Sequence, residues 1–404
     1  MNARCFPKVQ VLPTLRGAAL MAVVALMAMG AGSPAAGQSL LGSGGLGLPV
    51  DPIDGRVSAL GGVQAGLSEH QLLPNDPASA AGIPLPTITA GLQPTSGTMN
   101  DGTGESDIGA IRFPMVGLSY PVGSTTVMTA SFSSFLTHEW DVEIQRVLEL
   151  QGEPVDAQER FQADGGISQA QVGIARRIVD DFHVGAAAGM YIGSTERAFQ
   201  RSLDPEVVGP EVEDFFEEGE WRARGGTFTA SALWDPHPLV RIGGGVTWRG
   251  DLTMEPLAGA VEEKEYPLPM TFRAGTTLSL VEELDLTAGI AWEDWSDTGE
   301  VMEHGDDVGT VMDVGGGLEW SGIGLGNRPL PIRLGYRRTD LPFGFKGESG
   351  DESSLSAGVG LNLAEIQVVP IARMDVSLER VNREAGELSE ELWRTTVSLR
   401  LSGG

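Results

Sequence analysis

From about residue 85 to its end, the chain alternates apolar and polar side chains in short runs separated by polar turns. The clearest copy is residues 270–292, MTFRAGTTLSLVEELDLTAGIAW. In its first half Met270, Phe272, Ala274, Leu278 and Leu280 fall on one face, and Thr271, Arg273, Gly275, Thr277 and Ser279 on the other. In its second half Leu284, Leu286, Ala288, Ile290 and Trp292 oppose Asp285, Thr287, Gly289 and Glu293. Successive side chains of a strand point to opposite faces, so each run predicts a strand with one oily and one wet surface. About 14 such runs occur, near residues 85–92, 108–120, 126–135, 167–177, 182–192, 226–234, 240–249, 270–280, 284–292, 311–320, 332–337, 354–363, 371–381 and 392–401. The phase of the second run slips around Pro114, which predicts a bulge or kink.

The connectors carry as much information as the strands. Long, mostly acidic links (93–106, 137–166, 193–225, 250–266, 294–310, 338–353, 382–391) alternate with short ones (121–124, 179–181, 235–239, 281–283, 321–331, 364–370). Short turns on one side, long loops on the other and an even strand count predict an all-β, up-and-down transmembrane antiparallel β-barrel. Such a barrel satisfies every backbone N–H and C=O within hydrocarbon and leaves no open edge. With 14 strands, both termini fall on the short-turn, periplasmic side. Trp234, Trp248, Trp292, Trp295, Trp320 and Trp393 lie at or near strand ends, where a barrel places its aromatic girdles. In the last run Trp393, Val397, Leu399 and Leu401 are expected outward, with Arg394 and Arg400 in the lumen.

The first residues read as an export signal, 1–37. Arg4, Lys8 and Arg16 precede the apolar stretch GAALMAVVALMAM, and small residues follow at 33–37. The apolar run is too short to span a bilayer as a helix. Together with the barrel pattern, export predicts the outer membrane of a Gram-negative-type bacterium, with outer-membrane lipid as surroundings. The formal net charge is -28; the leader holds three positive charges and no acidic residue, so its removal leaves -31. That charge argues against nucleic-acid and phosphate ligands. Cys5, the one cysteine, lies in the leader, which leaves the mature chain without a disulfide or thiol site. The five histidines are scattered and form no metal-binding spacing, so no cofactor, metal site or catalytic centre is expected. The acidic run EVEDFFEEGE (211–220) lacks a calcium-loop spacing and reads as a solvated face.

Between leader and barrel, residues 38–84 form a small-residue segment without a sustained strand period. Here Ser58-Ala59-Leu60-Gly61-Gly62, then Asn75-Asp76-Pro77-Ala78-Ser79-Ala80-Ala81, resemble the hatch motifs of the FadL-type outer-membrane transport proteins. Asp76 interrupts the family's N-P-A order. Tyr266-Pro267-Leu268-Pro269, Ala291-Trp292-Glu293-Asp294-Trp295-Ser296 and Ile332-Arg333-Leu334-Gly335-Tyr336-Arg337 are similar to the family's late strands. The resemblance implies a 14-stranded barrel, residues 85–404, with an N-terminal hatch or plug at 38–84. It implies uptake of long-chain fatty acids or other hydrophobic small molecules. A barrel of this shape also suits a protein-secretion partner, a scaffold or a general porin.

A hydrophobic cargo needs apolar capture residues in water-exposed loops. Val147, Leu148 and Leu150 occupy one long link, and Val207, Val208, Phe215, Phe216 and Trp221 the next. The resemblance implies a capture groove between two such loops; the plainer reading is that these residues staple short loop helices to the rim. A carboxylate head needs a cation, and arginine's planar fork binds carboxylates bidentately. Strand phase turns Arg112, Arg241, Arg249, Arg273, Arg333, Arg337 and Arg373 inward. Lumenal acids such as Asp285, Glu293, Asp375 and Glu379 are the competing partners. The resemblance also implies lateral exit at a kinked early strand, for which Pro114 and Ser133-Ser134 are the candidates.

Overall fold

The computed structural model describes residues 39–403 apart from 52, 151–152, 204–214, 261, 303–307, 326–327 and 367–368. The leader, Val207, Val208 and the first part of the acidic run therefore lie outside the described residues. Fourteen antiparallel strands close into a barrel. They are β1 (Thr87–Asn100), β2 (Glu105–Arg112 and Met115–Pro121), β3 (Thr126–Thr137 and Trp140–Leu150), β4 (Glu153–Val179), β5 (Phe182–Leu203), β6 (Phe215–His237) and β7 (Val240–Arg249 and Leu252–Pro256). There follow β8 (Lys264–Tyr266 and Thr271–Val281), β9 (Leu284–Asp294), β10 (Thr310–Trp320), β11 (Ile332–Phe345), β12 (Glu348–Ile366), β13 (Val369–Ala385) and β14 (Leu388–Ser402). β14 returns to β1, with Thr87 opposite Ser402, which closes the wall.

The two faces separate as the alternation predicts. On the β8–β9 hairpin Met270, Phe272, Leu280, Leu286, Ile290 and Trp292 are exposed, whereas Thr271, Thr277 and Thr287 are buried toward the lumen. Exposed apolar side chains recur on the outside from Phe132 and Met190 to Leu334 and Leu378. In water a surface of this kind would aggregate; against hydrocarbon it is the required one. Trp234 and Trp320 mark one rim of this belt, and Trp248, Trp292 and Trp393 the other, all exposed. The chain is a transmembrane β-barrel of the outer membrane. Trp295 corrects the expected girdle: it is 1% exposed and packs inside against Phe343, ring centroids 5.3 Å apart. The chain leaves β9 at Asp294 into a helical turn, Ser296–Glu300, and that turn aims the indole inward, where its Nε1 donates to Glu293 Oε2 at 2.8 Å.

Several long links also differ from expectation: 93–106, 338–353 and 382–391 are strand but for tight turns, and two more depart further. Much of residues 137–166 and 193–225 is strand, not loop, and neither link holds a helix among the described residues. β4, β5 and β6 have 27, 22 and 23 residues. Beyond Gly165, Gly193 and Gly225 they continue with β3 as an outer sheet, which the outer parts of β7 and β8 extend on its far side. A spanning strand needs about 9–11 residues, so this sheet stands in water above the membrane. Gly165 marks the departure point. Its φ is +125°, and a Cβ there would come within 2.2 Å of the Ser194 carbonyl oxygen. Gly165→Val is expected to cost about 1–3 kcal/mol of local strain and fray the sheet. Surface proteolysis of intact cells should then open new cleavage sites in residues 140–165, while heat-dependent gel mobility of the barrel stays unchanged. Unchanged protease resistance would sink this reading of Gly165.

Residues 39–83 lie against the inner wall. They include a helix α1 (Gly55–Ala59) and a 3-10 helix (Pro77–Gly82), and an apolar knot of Ile53, Val57, Leu60, Val63, Leu67 and Leu73. Asp54 caps α1, accepting from Val57 N at 2.9 Å. Contacts run round the circumference: Gly55 N donates to Ser398 Oγ (3.0 Å, β14), and Ser58 Oγ lies 2.7 Å from Ser377 Oγ (β13). Thr277 Oγ1 (β8) donates to Gly66 O at 2.7 Å, and Ala78 N to Ser231 Oγ (β6) at 2.8 Å. Partners on such distant strands mean that the segment crosses the lumen. Gly61, at φ +70°, is one tight point, where a Cβ would sit 2.3 Å from the Tyr336 carbonyl oxygen.

Candidate functional site

Most of the inward arginines are consumed by the structure itself. Arg333 is fully buried between Glu319, with which it forms an ion pair, and Asp375, at 2.8 Å. Glu319 also binds Arg56 of α1 at 2.9 Å. Asp375 binds Arg373 at 3.0 Å, and Arg373 reaches Glu69 at 2.8 Å. Arg400 joins Glu69 to Asp54, at 3.2 and 3.3 Å. One continuous network thus ties residues 54, 56 and 69 to the walls of β10, β11, β13 and β14. Arg241 does the same elsewhere, gripping Asp235 (Nη2 to Oδ2, 2.7 Å) and donating to the Leu67 and Ser68 carbonyls. Asn75 donates to Gln64 Oε1 at 2.9 Å, within the segment. Arg337 is shared by Asp313 (2.8 Å) and Asp51 (2.5 Å), and Arg249 by Glu293 and the Pro269 carbonyl. Arg273 lies 3.8 Å from Glu293.

Arg112 is different. Its backbone pairs with Gln93, but among the described residues its guanidinium makes no hydrogen bond and no ion pair. It ends the outer part of β2, immediately before the interruption at Phe113–Pro114. On one side it lines a lumenal cavity of about 100 Å³ together with Arg273, Arg383, Arg394 and Glu352. On the other it lines a larger opening of about 670 Å³, whose walls include Phe113, Val116, Phe132, Ser134 and Leu136.

Strand pairing explains the opening. The lower part of β2 pairs with β3 from Met115–Ser133 to Pro121–Val127 and stops there. Above it the outer part of β2 pairs with β1, and the outer part of β3 with β4, but not with each other. Proline cannot donate to a ladder, and its ring fixes φ, so the strand breaks at Pro114. Leu48 and Pro49 add a two-residue bridge to β3 at Thr137 and Leu136 and line the lumenal cavity. Phe113, Val116 and Phe132 are exposed on the lipid side of the same breach.

The predicted capture residues are only partly brought together. Trp221 lies at the outer mouth, where it lines a pocket of about 30 Å³ with Leu46, Met254, Lys264 and Tyr266. Its Nε1 donates to the Glu262 carbonyl at 3.0 Å, and Lys264 Nζ sits 5.5 Å from its ring centroid. Behind the pocket an apolar cluster including Phe135, Tyr191, Leu252, Trp295 and Phe343 fills the mouth. Val147 and Phe216 stand exposed on the outer sheet, with Leu148 partly covered. Phe215 joins Phe199 and Phe161 in a stripe of rings 5.9 and 4.8 Å apart. Leu150 ends the outer part of β3. No groove gathers Val147 and Phe216 among the described residues, because they sit on different strands of one sheet.

The fold is shared with solved transport barrels at low identity. A Pseudomonas aeruginosa FadL homologue superposes with TM-score 0.55 at 13% identity, covering 88% of this chain and 98% of that one. The Pseudomonas putida toluene transporter TodX gives TM-score 0.56 at 13% identity, covering 89% and 99%. The CymD monoaromatic hydrocarbon channel gives 0.53 at 15%, covering 88% and 98%. No curated protein sequence matches the chain. The family model described as BamG matches residues 18–225, just over half of the chain. The chain belongs to the BamG family. The FadL-type resemblance read from the hatch motifs is thus a likeness of fold.

Sequence reasoning missed several residues of this BamG-family barrel's lumen. In the apolar lining of the breach, Phe113 and Phe132 sit in runs read as strand, and Leu136 lies just past one. The acids that neutralise the arginines, Asp51, Asp54, Glu69, Glu319 and Glu352, carry no local signal, since most of their partners are hundreds of positions away. The slipped phase at Pro114 and the candidate kink at Ser133-Ser134 were the clues to the breach.

Proposed function

We propose that this barrel is a channel through which amphipathic hydrophobic molecules, long-chain fatty acids among them, enter the outer membrane. The cargo is captured at the mouth beside Trp221 and leaves sideways through the breach at Phe113–Pro114. Residues 38–84 act as the hatch that blocks the straight route. The observation that carries this reading is the meeting of two cavities at Arg112. An apolar opening onto the lipid suits an acyl chain, and an uncommitted guanidinium at its inner end suits a carboxylate. TodX and CymD are described as toluene and monoaromatic hydrocarbon channels; a neutral ring would leave Arg112 unused, which favours a headed cargo here. The polar-porin alternative needs a continuous wet bore, and a segment fastened by buried ion pairs across the lumen counts against one.

Proteoliposomes with and without the protein, given fluorescent fatty acid, provide the test. Uptake should rise with the protein. Ser134→Trp, which fills the breach from β3, should slow it by about tenfold or more, equivalent to ~1.4 kcal/mol of barrier. Equal uptake by protein-free and protein-loaded vesicles would overturn the reading.

A further inference from the structure

The outer part of β3, Trp140–Leu150, bonds to β4 along one edge only; among the described residues its other edge pairs with no strand. At about 3.3 Å per residue this leaves an open backbone edge of roughly 35 Å, standing in water above the membrane. Free edges are templates for strand addition. We propose that this edge is a docking site for a partner protein, which adds an extended, lysine- and arginine-rich segment to it as a further strand of the outer sheet.

Charge identifies the occupant. Over residues 139–150, 153–165, 194–203 and 215–224 the sequence holds 12 acidic residues against six arginines. Along the edge strand Asp141, Glu143, Gln145, Val147 and Glu149 share one exposed face; Asp141 is paired with Arg160 and Arg146 is exposed beside them, which leaves Glu143 and Glu149 as the carboxylates an added strand would meet. Negative charge is crowded further in: Glu218 and Asp164 push the Glu196 carboxyl above its ordinary range. A second copy of this chain would bring the same acids face to face, and like charges directly opposite are destabilising. The charges that forbid self-pairing therefore select a basic strand. Val147, 67% exposed, offers that strand an apolar contact. This site is independent of the cargo route, because it lies on the water side of β3, above the breach.

The test uses the full protein in nanodiscs and fluorescein-labelled ten-residue peptides of alternating Lys and Val, read by anisotropy. The basic peptide should bind. Affinity should fall by about tenfold or more in the Glu143→Lys/Glu149→Lys protein, as expected when close charge pairs are reversed. It should fall as far when alternate peptide amides are N-methylated, which removes ladder donors without touching charge. Gel mobility of the folded variant controls for misfolding. Failure of the basic peptide to bind, equal binding by the N-methylated peptide, or equal binding by a Glu/Val peptide would each overturn the proposal.

Discussion

Arg333→Gln is expected to destabilise the barrel by about 3–5 kcal/mol, more than most changes on its surface. The side chain is fully buried between Glu319 and Asp375, so its removal leaves two carboxylates short of a partner. Arg56 and Arg373 still reach those acids, which holds the loss toward the lower end of that range. Taking ions out of water is expensive, and the cost shows when a pair is broken rather than when it is absent. The double variant Arg333→Met/Asp375→Leu should accordingly regain much of the stability, because it deletes the pair as a unit. Urea unfolding followed by tryptophan fluorescence, with heat-dependent gel mobility, would measure both. A single variant as stable as the parent would show that the network is not what anchors the N-terminal segment.

The membrane explains which parts of this fold were legible. Hydrocarbon on the outside imposes a strict period of two over each spanning run, and all 14 strands were visible for that reason. Where β4, β5 and β6 rise above the lipid, one face is still covered, with Val155, Ala157 and Ala163 buried, but Glu159 is buried among them. Cross-strand partners there include Asp141 with Arg160 and Glu143 with Gln158, and the apolar alternation of Val155, Ala157, Phe161 and Ala163 is outweighed by the charges around it. The strands were therefore taken for acidic loops. Trp295 failed for another reason: position along the chain places a residue near a rim but does not say which way the following turn rotates it. The arginines were correctly turned inward by strand phase. Their partners were unreadable, because Arg56 and Glu319 meet across 263 positions of sequence. Arg112 stands apart through what fails to reach it, and only the closed barrel reveals that.

That isolation gives the second large effect. Arg112→Gln is expected to weaken binding of a fatty acid by about 10- to 150-fold, since hydrogen bonds to charged groups contribute about 1.5–3 kcal/mol. The methyl ester of the same acid should bind parent and variant alike, because it offers no charge for the guanidinium to meet. Arg112→Lys should fall between, keeping the charge but losing the fork that grips two oxygens at once. Folding should be little affected: unlike Arg333, Arg112 holds no acid in place, so its loss strands no buried carboxylate. Titration of the detergent-solubilised protein with acid and ester separates the possibilities. If acid and ester weaken together, Arg112 shapes the path without recognising the head. If neither changes, the carboxylate is held elsewhere, and the meeting point of the two cavities is not where the cargo rests.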